Sequence, residues 1–224
     1  MADAAGAVLA VAVRAVGVLR RSPRPLHPRG VVRRGVLLLD DAGAPGAREL
    51  GAPAVVPALV RVSRSAGLPA PLPDVGGLAV RWWRDGREQD LLLSSTGLGR
   101  LGRFALVPRL RPSRGPFSTI MPFVDEGGRA VVLAAVAAPG APRDGVDLLL
   151  LSARPGGAWR RCGRLTCPAA ADDGDDDALR FDPVRHAPMT VPGWAARVRR
   201  RSYRVARERG TAAPPPQRAA SPAP

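Results

Sequence analysis

Seven strand-length runs of aliphatic and β-branched residues recur along the chain: Val31 to Asp40, Val55 to Ser65, Gly77 to Arg84, Glu88 to Ser94, Ala130 to Ala138, Val146 to Ala153 and Trp159 to Cys167. Glycine, proline or aspartate bounds each run, which is how strands are punctuated. An eighth run, Ala178 to Pro183, follows the acidic stretch Ala169 to Asp177. Asp85-Gly86 separates the third and fourth runs, and a two-residue Asp-Gly link predicts a tight hairpin. Strands arriving as successive hairpins pair antiparallel, and eight is a number at which a sheet can close on itself. Closure would also remove sheet edges, which a chain without lysine cannot protect with that residue. An open sandwich would show the same pattern.

The runs fall into two groups of four. Between them, Leu98 to Val107 reads as a short helix and Pro108 to Phe123 as irregular chain rich in Pro, Arg and Ser. At the N-terminus, Val8, Val11, Ala12, Ala15 and Leu19 recur at helical spacing. Asp3 stands where a signal peptide would be basic, and Arg14 interrupts the apolar run. The unbroken piece is then about half of the ~20 residues a membrane span needs, so the leader is read as a helix packing on the domain. A last helix is expected from Trp194 to Glu208, followed by a Pro/Ala-rich tail. The expected organisation is an amphipathic helix over 1–22, one domain over 23–209 and a disordered tail over 210–224.

The 224 residues suffice for one domain with a proper core. The net charge of +15 suggests nucleic acid, but all 34 basic residues are arginine and asparagine is absent, a bias that a GC-rich genome imposes. The arginines are scattered except near the C-terminus, so no specific nucleic-acid partner is expected. Cys162 and Cys167 have no second pair to complete a zinc site. They are expected to be reduced thiols of a cytoplasmic protein, a local disulfide being the alternative.

Four stretches carry a family resemblance. In Arg24-Pro25-Leu26-His27-Pro28-Arg29-Gly30, an arginine precedes the histidine by three residues, and Gly35 falls eight after it. The others are Val60-Arg61-Val62-Ser63, then Asp74-Val75-Gly76-Gly77-Leu78-Ala79-Val80-Arg81, then Asp90-Leu91-Leu92-Leu93-Ser94-Ser95-Thr96. In order and register they resemble the catalase core, where the second is similar to Val-Arg-Phe-Ser, the third to Asp-Pro-Arg-Gly-Phe-Ala-Val-Lys and the fourth to Asp-Leu-Val-Gly-Asn-Asn-Thr. The chain looks like a small catalase-related protein of the kind found in GC-rich actinobacteria. The resemblance implies an α+β fold: a closed antiparallel eight-stranded β-barrel with N- and C-terminal helices and a helical insert between strands 4 and 5.

It also implies haem. His27 would be the acid/base over the haem face, with Ser63 fixing its ring, because a histidine that takes a proton from peroxide needs one nitrogen free and the other held. Arg24 and Arg61 would hold the propionates. Ser94 stands where the family has a peroxide-polarising asparagine, and a serine hydroxyl is shorter, so at most weak catalase activity is expected. A peroxidase acting on hydrogen peroxide or organic peroxides fits better. Tyr203, the only tyrosine, would ligate iron, with Arg199 four residues earlier lowering its pKa. The interval from Phe181-Asp182-Pro183, similar to a late landmark of the family, to Tyr203 is shorter than usual. The segment could match an earlier helix of the family, leaving the haem-ligand helix missing.

Two further readings stay open. One is a barrel that kept the fold, lost haem and binds a small apolar or anionic ligand or a protein. The other is nonspecific anion binding through Arg197 to Arg209. Related chains sometimes carry a phosphodiesterase label, but His27 and His186, the only histidines, lie far apart and no metal-binding motif accompanies either. Asp172 to Asp177 lacks the frame of a calcium loop and reads as a solvated acidic loop. A membrane partner is not expected.

Overall fold

The computed structural model describes residues 30–40, 43–69, 71–142, 145–168, 176 and 179–197. Nine strands form: β1 (Gly30–Leu39), β2 (Ala54–Arg64), β3 (Gly76–Arg84), β4 (Arg87–Ser95), β5 (Phe117–Ser118), β6 (Phe123–Val124), β7 (Ala130–Ala137), β8 (Val146–Ala153) and β9 (Arg160–Cys167). One helical turn, α1 (Ala47–Leu50), lies in the β1–β2 connection. Neighbours pair in the order β5-β4-β3-β2-β1-β9-β8-β7-β6, and β5 also pairs with β7. That second pairing closes eight strands into an antiparallel barrel and leaves β6 as an extra strand outside the ring.

Local chemistry explains the β3–β4 hairpin. Asp85 (φ 51°) and Gly86 (φ 72°) both take positive φ, the backbone of a two-residue turn whose twist matches the strands it joins. The turn sets the register, so Trp82 faces Gln89 and Arg81 faces Asp90. Residues opposite one another project to the same side of a sheet. Val60, Val80 and Leu91 therefore point inward together, as do Leu78 and Leu93, and all five are buried. Leu37 and Leu165 complete the packing from the other side, with Trp82, Phe117 and Leu133 filling the middle. The barrel interior is thus a side-chain core and not a pocket.

The two seams of the ring differ from the rest. β5 contributes two residues, pairing Ser94 with Ser118 and Ser95 with Phe117 on one side, then Phe117 with Ala135 and Ser118 with Ala134 on the other. The β1–β9 seam runs over Val36–Leu39 against Thr166–Gly163 and depends on two glycines. A Cβ on Gly163 would stand 2.5 Å from the Leu38 carbonyl oxygen, and one on Gly35 would stand 2.5 Å from the Thr166 carbonyl oxygen. These strands approach so closely because both positions lack a side chain.

Two expectations are corrected. The insert between the fourth and fifth long strands is not helical: Leu98 to Val107 contains one 3-10 turn, Gly102–Phe104, a second turn spans Pro112–Arg114, and β5 and β6 follow. Leu98 to Val107 contains Gly99 and Gly102, and the N–H of Gly97 just before it donates to the Gly102 carbonyl at 3.0 Å, which favours a tight loop over a helix. Residues 179–182 do not form a strand; the eighth stave of the barrel is β5, a segment too short to show periodicity. Of the expected C-terminal helix, 193–197 are helical, and its remainder and the N-terminal helix lie outside the described residues. No helix among the described residues is long and apolar enough to cross a membrane. Gly163→Ala should lower unfolding stability by about 2 kcal/mol or more, since backbone must give way. Gly156→Ala, where an added Cβ meets nothing within 4 Å, should stay within about 0.5 kcal/mol of the parent in the same urea titration.

Candidate functional site

Ser63, Gly77, Ser94 and Ser118 stand directly opposite one another on β2, β3, β4 and β5, with Gly30 of β1 opposite Ser63. The inward side is fixed by Leu78 and Leu93, so this row lies on the outer face. Ser63 and Ser94 are thus brought to one face, two inter-strand steps or about 10 Å apart, with a residue lacking a side chain between them. The row is shielded: Ser63 is 7% exposed and Ser118 is fully buried. Ser63 Oγ lies 3.5 Å from the Gly77 carbonyl oxygen, the outer limit of a hydrogen bond. Ser94, half-buried, makes no side-chain hydrogen bond among the described residues. Two residues on, Thr96 is fully buried and its hydroxyl has no partner among the described residues.

Arg61 occupies the next row, opposite Val32 and Ala79, on the same outer face as Ser63. Its guanidinium grips Asp176 with two bonds, Nε to Oδ1 at 2.5 Å and Nη2 to Oδ2 at 3.1 Å. The Gly30 N–H adds a third bond to Asp176 Oδ2 at 3.0 Å. Gly30 must be glycine for this: a Cβ there would sit 2.6 Å from Arg61 Cζ. The acidic stretch therefore does not stand wholly in solvent, because Asp176 fills a carboxylate cradle made by an arginine fork and a backbone N–H. Arg24, His27, Arg199 and Tyr203 lie outside the described residues.

The neighbouring serine has a different task. Ser95 is fully buried, accepts the Gly76 N–H at 2.9 Å and donates to the Val107 carbonyl at 2.8 Å. It ties the insert to the barrel. Asp74, 3% exposed, gathers the N–H groups of Ala66, Leu68 and Val75 within 3.0 Å and holds the β2–β3 loop.

A second charged cluster was not foreseen. Arg81 forks onto Asp90 with two 2.7 Å bonds across the hairpin, and Asp90 is fully buried. Burial works against the Arg81 charge, but Asp90 and, less strongly, Glu88 and Asp182 outweigh it and raise its pKa. Asp90 Oδ2 also accepts the Asp182 N–H at 2.7 Å, and the Asp90 N–H donates to the His186 carbonyl at 2.6 Å. His186 Nδ1 lies 3.2 Å from Glu88 and 3.5 Å from Asp90 without the alignment of a hydrogen bond. This cluster bolts residues 180–186 along the part of β4 that β5 leaves uncovered. The signal was in the sequence: counting outward from Asp85-Gly86 places Arg81 opposite Asp90.

Other features carry no site chemistry. Cys162 and Cys167 are free and buried, and burial pushes their thiols up to about 12 and about 11, far from the thiolate a redox or nucleophilic cysteine needs. No group of three metal-ligating side chains occurs among the described residues. An open groove of about 880 Å³ beside α1 and the β3–β4 turn contains none of the expected site residues.

Among solved structures, a bacterial catalase superposes with a TM-score of 0.52 at 12% sequence identity. The fold is catalase-like. The alignment covers 82% of this chain and 56% of that catalase, so the chain spans little more than half of its neighbour. No protein-family model matches the chain, and no curated protein matches it in sequence.

Asp90→Asn should cost about 3 kcal/mol in chemical denaturation, because it removes the fully buried partner of Arg81 and leaves only the more exposed Glu88 at 3.3 Å.

Proposed function

We propose that the outer face of β1–β4 binds haem and that the protein acts as a peroxidase on hydrogen peroxide or organic peroxides. The observation that carries this reading is the row Gly30, Ser63, Gly77 and Ser94 with Arg61 beside it: small residues that admit a flat ligand, hydroxyls able to meet a peroxide, and a fork for a carboxylate. The buried Thr96 hydroxyl, without a partner among the described residues, fits such a ligand, since buried polar groups ordinarily have partners. Haem, when bound, would supply the redox chemistry of its iron. Arg24 and Arg61 would hold its propionates, and Tyr203, with Arg199 at its side, would hold the iron. His27 would take the peroxide proton with Ser63 fixing its ring, and Ser94 would donate one hydrogen bond to the peroxide oxygen.

The second reading is a barrel that has lost haem. Asp176 favours it: its carboxylate already sits where a propionate would bind Arg61. Under the haem reading, ligand and Asp176 compete for one fork, so removing the Asp176 charge helps the ligand. Titrating the purified protein with haem should produce a Soret band that is tightened about tenfold in Asp176→Asn, the factor expected for losing a charged competitor worth ~1.4 kcal/mol, and that is lost in Tyr203→Phe. Absence of the band in both the parent and Asp176→Asn would leave the haemless reading.

A further inference from the structure

The end of the barrel where β2, β3 and β4 meet the insert has a surface of its own. Leu101 is 85% exposed, Leu110 65%, Leu106 53% and Leu72 49%. They belong to separate loops that backbone bonds hold together. Asp74 and Arg109 exchange N–H to carbonyl bonds of 3.1 and 2.9 Å, which sets the Leu72 loop beside Leu110. The Val107 N–H donates to the Ser95 carbonyl at 2.9 Å and fixes Leu106. The Gly97–Gly102 bond closes the loop that carries Leu101. The leucines are therefore presented by a braced platform.

The chain segments that carry these leucines hold exposed charge of one sign. From Leu91 to Val124 the chain contains five arginines and no acidic residue, and none occurs from Gly51 to Pro73. Asp74 is buried and consumed by backbone N–H groups. Arg100 and Arg111 are exposed and make no ion pair among the described residues. Projecting aliphatic tips rimmed by unpaired guanidinium groups match a surface with an apolar layer under an anionic one.

We propose that this end of the barrel docks on an anionic phospholipid surface, the leucines entering the acyl boundary and the arginines meeting the headgroup phosphates. Peripheral docking needs only buried apolar area plus attraction to anionic lipid. An acidic protein partner would suit the charges but not the tips: the anchors of protein interfaces are enriched in aromatic side chains, and leucine is under-represented among them.

Co-sedimentation of the full chain tests this with vesicles of phosphatidylcholine alone and with about 30 mol% phosphatidylserine added. Binding is expected only to the anionic vesicles, and weaker as salt rises. The double variant Leu101→Ser/Leu110→Ser should lose about tenfold or more in partitioning while keeping the parent's melting temperature and its heparin affinity. Arg100→Gln/Arg111→Gln should weaken vesicle binding by a similar factor. If the double leucine variant were destabilised, Leu101→Ser alone provides the same comparison at the most exposed position. No binding by the parent overturns the proposal. So does vesicle binding that the leucine variants leave unchanged, which would assign it to the leader or to scattered arginines, and so does heparin binding lost in parallel with vesicle binding, which would point to a soluble polyanionic partner.

Discussion

Closure of the ring is the constraint on which the rest depends. A barrel of hydrogen-bonded strands needs every neighbour paired, and here two pairings are minimal. The β5 strand spans two residues, and the β1–β9 seam brings backbones so near that Gly35 and Gly163 cannot carry a side chain. With the ring closed, inward residues of the described strands fill the interior with Leu, Val, Phe and Trp82. Any chemistry is driven to the outside, where Ser63, Gly77, Ser94 and Arg61 share one face of β2–β4.

The short β5 has a second consequence. It covers β4 only at Ser94 and Ser95, so the rest of that edge needs another partner. Residues 180–186 supply it through the Arg81–Asp90 pair and the Asp90–His186 backbone bond. A buried ion pair of this kind contributes little net stability over apolar packing, yet it is costly to break from one side. Its value here is positional: it fixes a return segment that has no ladder of its own. Asp176 does the same on the opposite flank by closing over Arg61 and Gly30.

How far the sequence could be read follows from which signals are local. Alternation of apolar residues and the Asp85-Gly86 turn placed seven strands within about two residues, because register in a hairpin is set by its turn. The catalase-like fold was legible from the order of Arg61-Val62-Ser63, Gly77 to Arg81 and Asp90 to Ser94, residues that stand in the described barrel in the expected strands and faces. The insert was misread because a segment rich in Leu and Arg has helical propensity, while Gly97 and Gly102 pull it into a loop. Phe117–Ser118 gave no sign of being a stave, since two residues have no period.

What the sequence by itself determined is therefore the set of long strands, their hairpin order and which residues of each share a face. These follow from a period of two and a two-residue turn, both properties of neighbouring residues. Only the tertiary structure decided that the sheet closes, that β5 rather than Ala178 to Pro183 closes it, and that Asp176 rather than solvent meets the Arg61 fork. Those outcomes depend on pairings between strands that are not neighbours along the chain, β1 with β9 and β5 with β7, and on a carboxylate 115 residues from its fork, and a linear pattern holds no record of which distant carboxylate or edge arrives there first.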